Sequence, residues 1–175
     1  QGNYDLALEA ARAALNDAQM QASDIDCIIY ATLSPDHYFP GSGVFLGREL
    51  GIIGVPAYDI RQQCSGFVYG LEMANALVAS GQYQNILLVG SETHSPGLDK
   101  TTRGRTISVL FGDGAGALIL EAQDGTGDKS DRGILSVDLN SDGRHRDILY
   151  VDGGVSTQTT GYLRMQGKEV FRHAV

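Results

Sequence analysis

Apolar residues in the first part of the chain recur every three or four positions, which is the spacing of one helix face. This repeat covers residues 4–18 and predicts an amphipathic helix, with Asn3 as its N-cap. A continuous apolar run follows at residues 27–33. A run without polar alternation is typical of a strand buried on both faces, as in a parallel sheet. We therefore expect Cys27, which lies inside this run, to be part of the core.

Helical and strand patterns continue to alternate along the rest of the chain. Helices are predicted at residues 44–50, ending at Gly51, and at residues 67–81. Strands are predicted at residues 55–60, 86–89, 106–111, 115–120 and 133–139, with a long polar loop at residues 91–105. Helices that alternate with buried strands are typical of a layered α/β sheet.

Composition and charge narrow the class of protein. The chain has 175 residues, 42% of them apolar, which suffices for one domain with a buried core but not for two large ones. Its net charge of −8 disfavours nucleic-acid binding, because such proteins usually carry a basic stripe. No apolar stretch is long enough for a membrane span. Two cysteines, and four histidines with no helical pair, predict no metal site and a reducing, cytoplasmic setting.

Cys64 is the first candidate for chemistry. It lies between the predicted strand at 55–60 and the helix that follows. Backbone N–H groups at a helix N-terminus favour negative charge, so a thiol there is more readily a nucleophilic thiolate. The small residues Ser65 and Gly66 would let a carbonyl approach, and the Cys64 N–H would help to hold an oxyanion. The alternative is a buried structural cysteine.

Three cations in the polar loop form the second candidate. Lys100, Arg103 and Arg105 lie close together in a chain that is otherwise acidic. Such a cluster suits the phosphates of a ligand such as coenzyme A. The alternative is a solvated loop in which these cations balance Asp99 and Glu92.

Several short motifs, each weak alone, become specific through their order and spacing. They are the segment from Ala31-Thr32 to Phe39-Pro40, the segment from Asp59-Ile60 to Cys64-Ser65-Gly66-Phe67, residues 88–92, Arg103-Gly104, residues 111–117 and residues 165–171. On these motifs the chain resembles β-ketoacyl-acyl-carrier-protein synthase III, a condensing enzyme of the thiolase superfamily, over essentially its whole length.

The resemblance implies an α/β fold of the thiolase-like, layered α-β-α-β-α type, incomplete in this chain. Residues 1–132 would form the first thiolase-like half without its first strand, and residues 133–175 the start of the second half. The chain begins without Met, and residues 171–175 read as a helix cut off in its first turns. We therefore expect a fragment of a longer protein.

The same resemblance implies roles for five residues. Cys64 matches the nucleophile that takes an acyl group from coenzyme A. Arg103 matches a residue that contacts the coenzyme A nucleotide, whereas Phe111 and Met165 match residues in or near the acyl pocket. Phe39 matches a residue that reaches across a homodimer into the partner's pocket. The family completes its site with a His and an Asn from its second half, and no His here has the family's His-Gln-Ala-Asn context.

The activity implied is that of an acyltransferase in fatty acid biosynthesis. Cys64 would form a thioester from acyl-CoA, and a malonyl thioester on acyl carrier protein would condense with it and lose CO2. No cofactor is implied beyond these substrates, and the chain alone is expected to be inactive. Two alternatives are a related acyltransferase with another acceptor and a non-catalytic partner subunit of a condensing enzyme. A third is a generic α/β domain with a buried cysteine.

Overall fold

The computed structural model describes residues 2–128 and 130–174. Gln1, Lys129 and Val175, which belong to the two predicted domains, lie outside the described residues. The chain forms two compact units. The first comprises Gln1–Glu92 and Gly114–Leu139, and the second comprises Thr93–Asp113 and Asn140–Val175. The predicted division of the chain after residue 132 refers to the halves of the family fold, and it stays a prediction.

The first unit contains a four-stranded sheet with helices on both faces. Its elements are α1 (Asn3–Ala18), β1 (Cys27–Ala31), α2 (Ser42–Leu50), β2 (Ala57–Ile60), α3 (Gly66–Ala79), β3 (Asn85–Glu92) and β4 (Gly114–Glu121). The strand order is β2-β1-β3-β4. β1 pairs in parallel with both β2 and β3, and β4 pairs antiparallel to β3. The alternation of helices and strands therefore produces the layered α/β sheet that the sequence predicts.

The central strand β1 separates two apolar cores. All five of its residues are buried, as the unbroken apolar run predicts. Ile28 and Tyr30 belong to the core that includes residues of α1 and α2, whereas Cys27 and Ile29 belong to the core that includes Ala74 of α3. Successive side chains of a strand point to opposite faces, so one apolar strand fills both layers. The predicted place of Cys27 in the core is confirmed.

The N-terminus of α1 differs from the prediction. The N-cap is Gly2, not Asn3, and the carboxylate of Asp36 accepts hydrogen bonds from the backbone N–H groups of Asn3 (2.9 Å) and Tyr4 (2.8 Å). These N–H groups have no partner within the helix, and a carboxylate from another segment satisfies them. The side chain of Asn3 is thereby free to turn inward, and the residue is fully buried.

The short helix α2 is bounded at both ends by local chemistry. The carboxylate of Asp59 accepts hydrogen bonds from the backbone N–H groups of Ser42 (2.5 Å) and Gly43 (2.9 Å). At the other end Gly51 has a φ of 76°, the left-handed conformation that commonly ends a helix. The predicted end at Gly51 is confirmed, and the helix begins two residues earlier than the apolar pattern indicates.

The second unit contains a β-hairpin and two short helices. Its elements are α4 (Arg105–Ser108), β5 (Leu149–Gly154), β6 (Thr159–Met165) and α5 (Gly167–Ala174). β5 and β6 pair antiparallel, with a bulge between Val151 and Gly153. The prediction did not include this hairpin.

Two predicted strands are wrong, and the polar loop is shorter than predicted. Residues 106–111 do not form a strand, because the chain makes one helical turn at α4, in which the Ser108 hydroxyl donates to the Gly104 carbonyl (3.1 Å). Residues 133–139 also form no strand, because no strand among the described residues pairs with them, and Leu135 is 81% exposed. β3 continues to Glu92, so the loop begins only at Thr93.

Helix length bears on the membrane prediction. Among the described residues, no helix is both long and apolar enough to cross a membrane. The longest, α1, has 16 residues and carries charges on its exposed face.

Candidate active site

Cys64 lies in a tight turn that leads directly into a helix. The 3-10 turn Gln63–Ser65 connects the end of β2 to α3. Gln63 has a φ of 40°, a left-handed conformation that costs a non-glycine residue of the order of 1 kcal/mol or more. The thiol of Cys64 is exposed, and the first N–H groups of the 14-residue helix α3 follow it. This placement gives the predicted nucleophile access from solvent, at the N-terminal side of α3 as the sequence predicts.

Small residues on α3 bring this helix close to the sheet. Gly66, Gly70 and Ala74, one helical turn apart, are all buried. A Cβ added to Gly70 would lie 2.5 Å from Cδ1 of Leu88, so only glycine fits without a shift of the β3 side chain. The close approach fixes the N-terminal end of α3, and with it the turn that carries Cys64.

The second cysteine has a different environment. Cys27 is fully buried in β1. Burial, with a smaller contribution from the nearby Asp26 carboxylate, raises the pKa of the Cys27 thiol to about 11. A thiol held protonated inside a sheet is a poor nucleophile. Of the two cysteines, Cys64 is therefore the one available as a nucleophile.

A buried polar network joins α1 to the carboxyl ends of β1 and β3. The Tyr30 hydroxyl donates to Oδ1 of Asn3 (2.6 Å), and Nδ2 of Asn3 donates to the Thr32 hydroxyl (3.1 Å) and the Ser91 carbonyl (2.9 Å). The Ser91 hydroxyl donates back to the Asn3 carbonyl (2.8 Å). Burial raises the pKa of Tyr30 and keeps its hydroxyl a donor. The sequence did not reveal this network, since Asn3 also suits a helix cap.

Glu92 fixes the start of the loop that carries Phe39. Its carboxylate accepts hydrogen bonds from the Leu33 backbone N–H (2.9 Å) and from the Ser34 hydroxyl (2.5 Å). Phe39, further along this loop, is 82% exposed, and its peptide bond to Pro40 is cis. The start of the loop is therefore fixed by hydrogen bonds, and the Phe39 ring further along it is exposed to solvent.

The second unit contains a cavity of about 910 Å³. It is lined by residues of α4, of the hairpin and of the segments next to them, namely Arg103, Thr106, Ile107, Arg146, Asp147, Ile148, Tyr150, Val151, Asp152, Arg164, Met165 and Gln166. Two of the five predicted site residues, Arg103 and Met165, meet at this cavity. Phe111 is half-buried and packs edge-on against the ring of His94, with ring centroids 5.5 Å apart.

An ion pair that the sequence did not reveal lies at the edge of this cavity. Nη1 of Arg164, on β6, is 3.0 Å from Oδ2 of Asp99, whose side chain is 8% exposed. The other oxygen of Asp99 accepts hydrogen bonds from the Thr101 hydroxyl (2.6 Å) and backbone N–H (3.1 Å). The Thr101 bonds first, and then Arg164, lower the pKa of Asp99. No local pattern points to a pairing across 65 positions of sequence.

Charge is distributed unevenly between the two units. The second unit carries eight Lys and Arg against six Asp and Glu, whereas the first carries five against fifteen. The surface around the cavity thus belongs to the part of the chain with a positive balance. Such a balance favours an anionic ligand.

The five predicted site residues divide between the units. Cys64 and Phe39 belong to the first unit, and Arg103, Phe111 and Met165 belong to the second. Within residues 2–128 and 130–174, no group of three or more His, Cys, Asp or Glu side chains could hold a metal ion. The roles assigned to the five residues stay predictions.

Comparison with solved structures defines the class of fold. The chain is similar to a 3-oxoacyl-acyl-carrier-protein synthase III from Aquifex aeolicus, with 35% identity and a TM-score of 0.86, over 99% of this chain and 52% of that one. It is similar to the same enzyme from Pseudomonas aeruginosa, with 38% identity and a TM-score of 0.86, over 99% and 52% of the two chains. The layered α/β architecture is therefore that of the thiolase-like condensing enzymes, as predicted.

Sequence comparison identifies the family within that class. The family model of 3-oxoacyl-acyl-carrier-protein (ACP) synthase III matches residues 58–143. β-Ketoacyl-acyl-carrier-protein synthase III from Dinoroseobacter shibae is 58% identical over 98% of this chain, and that from Roseobacter denitrificans is 57% identical over 97%. The chain belongs to the β-ketoacyl-acyl-carrier-protein synthase III family, which confirms the resemblance. It spans about half the length of the curated relatives it matches, 52% for both of these.

Proposed function

We propose that the protein to which this chain belongs is a condensing acyltransferase that forms an acyl thioester on Cys64 and elongates it with a malonyl thioester. The observation that carries the proposal is the exposed Cys64 in a strained turn at the N-terminus of α3, in a chain of this family. Exposure of this thiol disagrees with the alternative of a buried structural cysteine.

The first half-reaction uses Cys64 alone among the side chains of this chain. The Sγ thiolate attacks the carbonyl carbon of acyl-CoA and forms a new C–S bond. The tetrahedral oxyanion collapses as the bond to coenzyme A breaks, and the coenzyme A thiolate leaves with a proton from solvent. The backbone N–H of Cys64 is one donor to the oxyanion, and it gains strength from its place at the turn before α3.

The second half-reaction forms the carbon–carbon bond. A malonyl thioester on acyl carrier protein loses CO2, and the electron pair of the broken bond becomes an enolate. The enolate carbon attacks the acyl-Cys64 carbonyl, and the Cys64 thiolate leaves to give a β-ketoacyl product. The His and Asn that the family uses to stabilise the enolate would come from outside these 175 residues.

Substrate contacts are proposed for the other four predicted residues. Arg103 contacts the coenzyme A nucleotide from the rim of the cavity, and Met165 and Phe111 lie in or near the acyl pocket. Arg103 and Met165 line the same cavity, which supports the roles proposed for these two residues. Exposure of Phe39 supports its proposed reach into the pocket of a homodimer partner. The enzyme would act in cytoplasmic fatty acid biosynthesis without a cofactor.

The test is the intact mass of the full-length protein after incubation with acyl-CoA. We expect a gain of one acyl group, mapped to the Cys64 peptide, and no gain in Cys64→Ala. Cys27 in the same molecule is the internal control, because its buried thiol stays unmodified. An unmodified protein across short and long acyl donors would contradict the proposal.

Release of CO2 from malonyl-acyl-carrier-protein separates the remaining alternatives. Acylation with CO2 release is expected for the condensing enzyme. Acylation without it would point to an acyltransferase with another acceptor. Full activity of an assembly that contains Cys64→Ala would point to a non-catalytic partner subunit.

A further inference from the structure

The loop that carries Arg103 is tied down at a single acidic residue. Oδ1 of Asp99 receives two hydrogen bonds from Thr101, and the Asp99 carbonyl oxygen receives one from the Ser108 hydroxyl (2.8 Å) on α4. The Gly104 N–H donates to the Thr101 carbonyl (3.0 Å). A Cβ added to Gly104 would overlap the Asp99 carbonyl oxygen, so the loop closes on Asp99 without free space.

Asp99 in turn is held by one cation from a distant strand. Arg164 donates to Oδ2 of Asp99 at 3.0 Å, and this bond links the loop to the hairpin. The guanidinium also lies over the ring of Tyr162, 5.5 Å from its centroid. The Arg164 guanidinium therefore contacts both the Asp99 carboxylate and the Tyr162 ring, and the Arg164 side chain is only 24% exposed.

Arg103 has different surroundings from Arg164. It is exposed and lines the cavity, between Asp99 and the start of α4. We propose that Arg164 is a positioning residue: through its ion pair with Asp99 it fixes the 99–104 loop so that Arg103 meets the nucleotide phosphates of acyl-CoA at the cavity. This inference rests on the proposed function, since it assigns a device for binding the same substrate.

The alternative role for Arg164 is direct contact with a phosphate, because it lines the same cavity. The two roles predict different combined effects of substituting Arg164 and Arg103 on the KM for acyl-CoA. If Arg164 acts through Arg103, loss of Arg164 removes what Arg103 contributes, and loss of both residues costs no more than loss of one. If each contacts a phosphate independently, the two losses multiply.

The experiment compares two acyl donors with the intact protein that carries this chain. Acyl-CoA has the nucleotide, and acyl-pantetheine has the same thioester without it. We expect Arg164→Met to raise the KM for acyl-CoA by about tenfold, the effect of losing one charge-assisted contact. The kcat of acylation and the KM for acyl-pantetheine stay unchanged. Arg164→Lys keeps the charge and recovers part of the loss.

Further variants keep the test informative. The double variant Arg103→Ala with Arg164→Met should have the same KM for acyl-CoA as Arg103→Ala alone. Arg172→Met is the matched control, because the exposed Arg172 belongs to the same unit but pairs with Glu169 and does not line the cavity. It should leave both KM values unchanged. If Arg164→Met fails to fold, Asp99→Asn breaks the same ion pair and keeps a carbonyl acceptor for Thr101.

Three results would overturn the inference. The first is a multiplicative effect of the Arg103 and Arg164 substitutions, which would make Arg164 a direct ligand. The second is an equal rise in KM for acyl-pantetheine, which would make the ion pair merely structural. The third is no change in the KM for acyl-CoA. A parent protein that is not acylated on Cys64 by either donor fails differently, because it overturns the proposed function itself.

Discussion

The two cysteines of this chain have opposite environments, and each environment sets a reactivity. Cys64 is exposed in a turn before a helix N-terminus, whereas Cys27 is fully buried and its pKa is raised to about 11. We expect iodoacetamide at pH 8 to alkylate Cys64 in the native protein and to leave Cys27 free, since the thiolate is the reacting form. Peptide mass mapping after quenching measures both sites at once.

The unfolded protein provides the control for this prediction. In denaturant both cysteines are exposed with ordinary pKa values, so both should be alkylated at similar rates. Alkylation of Cys27 at the rate of Cys64 under native conditions would contradict the buried position of β1.

At the scale of single residues, the environment could be predicted from the sequence where neighbours along the chain determine it. Cys27 lies in an apolar run and Cys64 follows a strand, and both placements could be predicted. Asn3 could not be placed, because an Asn at the start of a helix suits a cap and its buried partners come from residues 30, 32 and 91. The Asp99–Arg164 pair was missed for the same reason, since it joins residues 65 positions apart.

The segment between β3 and β4 depends on glycine at one position. Gly104 is buried and is the N-cap of α4, and a Cβ there would overlap the backbone of Asp99. Backbone atoms cannot rotate away as a side chain can. We expect Gly104→Ala to lower the free energy of unfolding by about 2 kcal/mol, as overpacking typically does. Urea denaturation followed by circular dichroism measures it.

Gly97 in the same segment is the matched control. A Cβ on Gly97 meets no atom within 4 Å. Gly97→Ala should therefore leave stability unchanged or raise it by up to about 1 kcal/mol through the loss of unfolded-state entropy. Equal stability of the two variants would show that the 99–104 loop has room to move.

Elements with a long or unbroken pattern were predictable, whereas some of the short elements were not. The repeat along the 16 residues of α1 fits a helix only, and the apolar run of β1 contains two isoleucines and a tyrosine, which favour a strand. Residues 106–111 fit both a strand and a helical turn, because a short apolar run does not separate the two. The β5–β6 hairpin was missed because most of its side chains are exposed and alternate weakly.

For the whole molecule, the family motifs were more informative than the pattern of elements. The pattern gave the α/β class, and the motifs gave the thiolase-like fold and the family. The meeting of Arg103 with Met165 at a cavity follows from the hairpin, which no periodicity predicted. The residue roles proposed above therefore rest on both the motif match and the folded second unit.

The distribution of charge over the whole chain leads to the last prediction. The net charge is −8, yet the unit with the cavity has a balance of eight basic to six acidic residues. An acyl-CoA nucleotide carries several negative charges, so under the proposed function its encounter with Arg103 at the cavity would be favoured by charges that salt screens. The Debye length falls from about 10 Å at 0.1 M salt to about 3 Å at 1 M, so attraction beyond direct contact is lost.

We therefore expect the KM for acyl-CoA to rise several-fold between about 0.05 M and 0.5 M NaCl, as screening weakens the attraction. The KM for acyl-pantetheine should stay constant over the same range, because this donor lacks the phosphates that the cations attract. The initial rate of Cys64 acylation as a function of donor concentration, recorded at each salt concentration, gives both values. The salt dependence should be smaller in Arg103→Ala, because that variant lacks one of the attracting charges. Equal salt dependence for the two donors would place the nucleotide away from the second unit, whatever the fate of the acylation step.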